Sequence, residues 1–464
     1  MRRFLRLTCA LAVGALALGA LACAPPVVRP GADGERPREI ATRGESGPSF
    51  LLGPMVGHAT DTSVRFWVRT DRPGRLGAIV MEAGGDEVEG RAILLDAATA
   101  STGVVQVDGL EPAAPYSARF ELDGRPMATD GPVSFRTFPE PGSPIRLRIA
   151  LVSCARVAWD SVQTIWTRIA DDRPDVVLWL GDNNYFEEGD SIRPADWEDP
   201  ARMAFKYAEL RGLPTLQPLL REAIHYAIWD DHDYADGEPD RTFPLKEDVN
   251  RLFERFWANA YYGGPGLDGI YSHVQMGDVE LFLTDDRFYR DPEDGPRVPG
   301  KTMLGAEQLE WLRERLAEST ARLKIVAVGV QVLADYHDYD GYVKYPHERD
   351  ELLAWIRERR IEGVVFVSGD RHLSELMRDD DRVGYPLYEL TASPVGNRPF
   401  PAGLDQPNPI RLGGYSQGFN YGLLDIDTAA EPATLTFRLK DEAGREVLVH
   451  PVPLAELELP GSRP

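Results

Sequence analysis

Val176-Val177-Leu178-Trp179-Leu180-Gly181-Asp182-Asn183-Asn184-Tyr185 is the stretch from which the rest of the sequence can be read. Its apolar run, Val176 to Leu180, has the texture of a strand buried on both faces. The run stops at a glycine, and an aspartate, two asparagines and a tyrosine follow. Parallel strands deliver ligands to the carboxyl edge of a sheet in this way. Three other runs end alike: Ile149 to Ser153 before Cys154, Tyr226 to Trp229 before Asp230-Asp231-His232-Asp233, and Val364 to Ser368 before Gly369-Asp370-Arg371-His372. Four such ends converging on one edge would make a metal site.

The chain around these runs has 464 residues, more than one hydrophobic core usually holds, so two domains are expected. Apolar residues at 43% and charged residues at 27% describe a folded globular protein. The net charge of −23 excludes nucleic acid as an expected partner, since a polyanion is repelled. An acidic surface suits an exported protein, and some of the carboxylates are expected to hold cations. Residues 1–22 read as a signal peptide: Arg2, Arg3 and Arg6 precede an apolar segment, Leu7 to Leu21, and Ala20-Leu21-Ala22 is a small-residue cleavage site. Cys23 directly after it makes a lipid anchor a further expectation, and the protein is expected in the periplasm, outside the cell or on a membrane. Cys154 is then the one cysteine left in the folded part, either an inert buried thiol or a metal-ligating thiolate.

Residues 23–48 are rich in Pro, Gly and Arg and read as a tether. From Phe50 short alternating strands take over, as in Ser63 to Arg69 and Gly103 to Val107. Leu110, Pro112 and Tyr116 are spaced like the tyrosine corner of fibronectin-type sandwiches, so residues 49–138 resemble a fibronectin type III-like all-β sandwich. No ligand cluster lies there, and His58 is expected to be structural or at the domain interface. Residues 139–145 form a linker in which Pro139, Pro141 and Pro144 forbid regular structure. Strands and helices alternate from 146 to 456, which argues a layered α/β domain.

Gly181-Asp182, Asp231-His232-Asp233 and Gly369-Asp370-Arg371-His372 are similar to three blocks of the calcineurin-like metallophosphoesterases. Asp231 stands where that superfamily has asparagine, and Asp370 where it has histidine. The opening Asp-x-His block is missing, Ser153-Cys154 takes its place, and Gln331 occupies the region of another absent histidine. These departures resemble one branch, the PhoD-like alkaline phosphatases, whose blocks match Ser153-Cys154, Gly181 to Tyr185, Trp229 to His232 and Ser368 to His372. Asp285-Asp286-Arg287 and Leu304 to Gln308 match further blocks. The resemblance implies an α/β fold, a four-layer metallophosphatase-type β-sandwich flanked by helices. It also implies a metal-dependent hydrolase of phosphomonoesters or phosphodiesters.

Asp182 and Tyr185 have the spacing that purple acid phosphatases use for ferric iron. Phenolate and thiolate are anionic ligands that favour a charge-dense oxidised metal over zinc. Cys154, Asp182, Tyr185 and His372 are therefore expected to hold Fe3+, with Asp182 bridging. Asp182, Asp231 and Asp370 form an all-oxygen set suited to Ca2+ or another divalent ion. A metal-activated water would attack phosphorus in line. His232 is the expected acid for the leaving group or a ligand for a phosphoryl oxygen. Arg156 and Arg287 are candidate phosphate clamps, with a surface ion pair as the other reading of each. A plain core tyrosine is the other reading of Tyr185. The remaining functional alternatives are a phospholipase or nuclease on the same fold, and a non-catalytic module that binds phosphorylated ligands. Substrate preference is expected to reside in the loops Phe186 to Pro200, Tyr234 to Leu245 and Asp335 to Pro346.

Overall fold

The computed structural model describes residues 47–461 apart from Ala83, 186–199 and Asp236. The signal expectation and all but the last two residues of the tether, with Cys23, lie outside the described residues, as does nearly all of the first of the three loops. The sandwich strands run β1 (Phe50–Ala59), β2 (Ser63–Thr70), β3 (Gly74–Glu82), β4 (Glu87–Glu89), β5 (Ile93–Leu95), β6 (Thr102–Asp108), β7 (Pro115–Leu122), β8 (Arg125–Met127) and β9 (Val133–Arg136). One sheet has the order β1-β2-β6; the other is built on β4-β3-β7-β8, with β5 on β3 and β9 on β7. Alternation explains the pairing: Val64, Phe66 and Val68 turn inward from β2, and Phe66 meets Phe120 edge-on at 5.2 Å. The Glu111 amide donates to the Tyr116 hydroxyl at 2.8 Å, the local contact that a tyrosine corner requires.

The second half continues with β10 (Arg146–Val152), α1 (Ile165–Asp171), β11 (Val176–Leu180), α2 (Pro200–Arg211), α3 (Gln217–Glu222), β12 (Ile224–Ile228), α4 (Asp231–Tyr234) and α5 (Lys246–Phe256). Then come β13 (Ser272–Met276), β14 (Val279–Leu283), α6 (Ala306–Glu318), β15 (Leu323–Ala327), α7 (Pro346–Glu358), β16 (Val364–Ser368), β17 (Ser374–Asp379) and β18 (Leu387–Thr391). The last strands are β19 (Arg411–Tyr415), β20 (Asn420–Asp427), β21 (Thr434–Asp441) and β22 (Glu446–Pro453). Two sheets result, β12-β11-β10-β20-β21-β22 and β13-β14-β15-β16-β18-β17-β19. They pack face to face: Tyr388 of β18 stacks on Phe437 of β21 at 5.4 Å. The helices bury the stripes that their spacing dictates. In α5 these residues are Val249, Leu252, Phe253 and Phe256, with Glu247 and Asp248 in the first turn, where the helix dipole favours acids. Among the described residues no helix is long and apolar enough to cross a membrane.

This topology corrects one expectation. β10, β11 and β12 are parallel neighbours and end together, but β16 belongs to the facing sheet. Three ligand-bearing ends come from one sheet and the fourth from the other, so the site lies where the edges of both meet. The approach is close at Gly369. A Cβ there would sit 2.5 Å from the Leu180 carbonyl oxygen and 2.8 Å from the Ser153 Cβ, which only glycine avoids.

The all-β sandwich closes against the β12 edge, and residues 47–464 cluster as one compact unit. His58 Nδ1 lies 3.1 Å from the Tyr226 hydroxyl, and Arg65 donates to the Asn259 and Ala260 carbonyls at 2.7 Å. The buried Arg211 guanidinium sits over the rings of Trp257 at 4.3 Å and Trp67 at 5.0 Å, one from each side of this junction.

Candidate metal centre

The candidate ligands stand where strands turn sharply. Cys154, Asp182, Asp370 and His372 all have positive φ, between 51° and 62°. Non-glycine residues pay for that conformation, and such strain concentrates where side chains must be re-aimed. Cys154 Sγ is 3.4 Å from Asp182 Oδ2, and the Tyr185 hydroxyl donates to the same oxygen at 2.8 Å. The Ser393 hydroxyl lies 3.1 Å from Cys154 Sγ. Cys154, Asp182 and His372 offer ligand atoms within 4.8 Å of one another. Asp182, Asp231 and His232 do the same, as do Asp230, Asp231 and Asp370. Asp182 is common to the first two groups and Asp231 to the last two, so the centre is a chain of three cation-sized positions. Asp182, expected as the bridge, stands in both of the first two groups. Asp230 is an addition: it sits in the same Trp-Asp-Asp-His run, but spacing alone does not say which of two adjacent acids turns inward.

Electrostatics show what these groups lack. Burial, followed by the Asp231 charge, pushes the Asp182 carboxyl well above the usual range, and burial with Asp230 does the same to Asp370. Burial and the Asp182 carboxylate likewise push up the Cys154 thiol and the Tyr185 phenol. Burial lowers His372 to about 4, so its imidazole is neutral near pH 7 and keeps a lone pair for coordination. Asp231 runs the other way: burial would raise it, but His232 and Arg287 hold it below the ordinary value. Both Asp286 oxygens and Asp230 Oδ2 are buried and receive no hydrogen bond among the described residues. Buried acids in this state cost several kcal/mol each unless a cation joins them. The donor set therefore fits metal ions: N, S and phenol oxygen at one end, carboxylates alone at the other.

Other groups hold the ligands in place. The Asp233 carboxylate accepts from the backbone and side-chain N–H groups of Asn183 (3.0 and 3.1 Å) and Asn184 (3.1 Å each), pinning the Gly181–Tyr185 turn to α4. The His232 amide donates to Asp182 Oδ1 at 3.3 Å, and its ring lies 4.3 Å from the Tyr185 ring. Arg156 sits over the other ring neighbour of this wall, Tyr185, at 5.4 Å. Asn397 Nδ2 lies 3.3 Å from His372 Nε2, a neighbour that strand-end reading misses because it follows β18 on an irregular loop.

Arg287 is a correction. It is fully buried, its Nε donates to Asp230 Oδ1 at 2.8 Å, its Nη2 to Asp340 Oδ2 at 2.6 Å and its Nη1 to Glu238 at 3.2 Å. A guanidinium spent on three carboxylates has no edge left for phosphate, so Arg287 neutralises the acids behind the site. Gln331, where a ligand histidine was absent, donates to Glu375 and Thr391 and accepts from His337, which makes it part of a buried network.

An α/β sandwich with candidate metal-binding clusters where the edges of two sheets meet is the class that fold and site define. The chain belongs to the PhoD-like phosphatase family, whose model matches residues 149–412. A second family model, described as a domain of unknown function (DUF7800), matches residues 47–139. The chain is 25% identical to alkaline phosphatase D of Bacillus subtilis (strain 168) over 383 residues, which make up 70% of this chain and 64% of that protein. It thus spans under two thirds of that relative's length. A solved structure of PhoD superposes with a TM-score of 0.71 at 18% identity, over 88% of this chain and 94% of the other. Purple acid phosphatase PPD1 from yellow lupin (Lupinus luteus) seeds follows with a TM-score of 0.64 at 12% identity, over 88% and 74%. At these identities the two structures speak for the fold.

Proposed function

We propose that this chain is an exported, metal-dependent phosphoric ester hydrolase of the alkaline phosphatase D type. The observation that carries the reading is the run of buried ligand groups joined through Asp182 and Asp231. Cys154, Asp182, Tyr185 and His372 would hold Fe3+, because a thiol and a phenol so strongly disfavoured as anions ionise only beside a charge-dense cation. Asp230, Asp231 and Asp370 would hold Ca2+ through oxygen alone. When bound, such ions polarise phosphoryl oxygens and lower the pKa of water.

The chain's own groups do the rest. Asp182, fixed by Tyr185 and the His232 amide, sets the spacing of the positions it joins. A water adds to phosphorus and releases a proton to solvent, the ester P–O bond breaks opposite, and the His232 imidazolium gives its proton to the departing oxygen. Asp231 lies 3.7 Å from His232 Nε2, on the same wall of the site. Arg156 reaches over the Tyr185 ring, at the mouth of this wall. The fibronectin type III-like reading of residues 49–138 fits as a brace on the β12 edge, and Cys23 remains a candidate lipid anchor.

Asp182→Asn should remove hydrolysis of nitrophenyl phosphate by at least about 100-fold and lower bound iron and calcium, with the unfolding midpoint retained. Full turnover in that variant refutes the assignment. Equal metal content in both proteins removes Asp182 from the bridge. Bis-nitrophenyl phosphate assayed in parallel decides between monoester and diester substrates.

A further inference from the structure

Arg371 lies between two candidate ligands, Asp370 and His372, and is 6% exposed. Its Nε and Nη2 are buried and donate no hydrogen bond among the described residues. Three other buried guanidinium groups are ion-paired, whereas Arg211 and Arg221 are not, and each of these two leaves only its Nε, not a whole two-donor edge, without a hydrogen bond among the described residues. Arg287 meets Asp230 and Asp340, Arg290 meets Asp340, and Arg349 meets Asp335 and Asp350. Nε and Nη2 form one edge of the fork, the pair that grips two oxygens at once. This chain uses that same edge elsewhere: Arg148 holds Asp425 through Nε at 2.6 Å and Nη2 at 3.1 Å. In Arg371 this edge is buried and makes no hydrogen bond among the described residues.

Its orientation is fixed from the other side. The guanidinium carbon lies 4.6 Å from the Tyr339 ring centroid, and Tyr339 packs edge-on against Phe400 at 5.8 Å. Stacking on an aromatic face sets the plane of the fork without using any of its N–H groups. An unpaired buried cation costs stability unless something else meets it, and the centre it borders is the one read above as a phosphate ester site.

We propose that Arg371 is an oxyanion-binding catalytic residue, its Nε–Nη2 edge taking two oxygens of a phosphate group on the substrate. The assignment rests on the phosphatase reading for its substrate class. The phosphate is either the phosphoryl group being transferred or a second phosphate on the same substrate. In both cases Arg371 takes the clamp role that Arg287, already paired, does not fill.

The test uses the full-length, metal-loaded protein and its Arg371→Gln and Arg371→Lys variants, with inorganic phosphate and pyrophosphate as titrated probes. Loss of two charge-assisted bonds in R371Q should weaken binding about 10- to 100-fold. Weakened inorganic phosphate assigns the clamp to the transferred group; weakened pyrophosphate alone assigns it to a second phosphate. R371K keeps the charge but loses the two-donor edge, and should stay at least about fivefold weaker than the parent. Unchanged affinity for both probes in R371Q overturns the proposal, and so does full rescue by lysine. Should R371Q fail to fold, R371K alone decides by the same criterion. Arginine-dependent phosphate binding in a protein that cleaves no ester keeps the oxyanion site and rejects the enzymatic reading, and with it the catalytic role of Arg371. Ester cleavage with unchanged binding in R371Q does the reverse.

Discussion

Asn183 and Asn184 each turn a backbone and a side-chain N–H toward Asp233, so one buried carboxylate fixes the turn that carries Asp182 and Tyr185. Both act through the geometry of that turn. Arg287 works by charge. With no exposed surface, it meets Asp230 and Asp340 and lies 3.9 Å from Asp286. Removing one member of such a cluster leaves buried charge uncompensated. Arg287→Met should therefore destabilise the protein by about 3–5 kcal/mol, measured by denaturant unfolding. A purely substrate-binding arginine would raise KM and leave the unfolding midpoint alone, so an unshifted midpoint with raised KM would restore the clamp role.

At the scale of elements, the strand ends were legible because each follows an unbroken apolar run and stops at a residue able to turn. Val176 to Leu180 and Val364 to Ser368 are strands at those same bounds. What was not legible is which sheet each belongs to, since periodicity within a run says nothing about its neighbours. β19, Arg-Leu-Gly-Gly-Tyr, has little intrinsic strand preference and is a strand because β17 pairs with it. The Arg287 pairing escaped for the same reason: Asp340 arrives from a loop after β15, and no spacing rule links them. Glu389 of β18 was equally silent, although it anchors that loop. Its carboxylate accepts from the Val332 and Leu333 amides at 2.9 and 2.6 Å and from the Ser368 hydroxyl at 2.7 Å. Burial raises it from 4.5 to about 7. The unfolded chain loses this proton near pH 4.5 and the folded chain only near 7, so between them the folded state binds more protons and stability falls as pH rises. Glu389→Gln should flatten that fall by on the order of 3 kcal/mol, read as the change in unfolding free energy from pH 4.5 to 8. Parallel slopes in the two proteins would show that Glu389 stays ionised throughout.

At the scale of the whole molecule, the sandwich and the α/β half behave as one body because their contact admits no slack. β1 lies against the edge strand β12 and the segment after α5. At Gly57 an added Cβ would sit 2.3 Å from the Ala258 Cβ and 3.0 Å from its carbonyl oxygen. No side chain can rotate out of that clash, because the opposing atoms are a backbone and the methyl fixed to it. The polar contacts along the same seam, His58 with Tyr226 and Arg65 with Asn259, need the approach that glycine permits. Overpacked contacts of this kind cost about 1–3 kcal/mol. Gly57→Val should lower the unfolding midpoint and split one cooperative transition into two, the sandwich separating first. Calorimetry of the two proteins reads this directly, and proteolysis within residues 139–145 should speed up in the variant. A single, unshifted transition in Gly57→Val would mean that the junction does not couple the halves. The bracing of the β12 edge, and with it of Asp230 and Asp231, would then have to come from β11, α3 and α5.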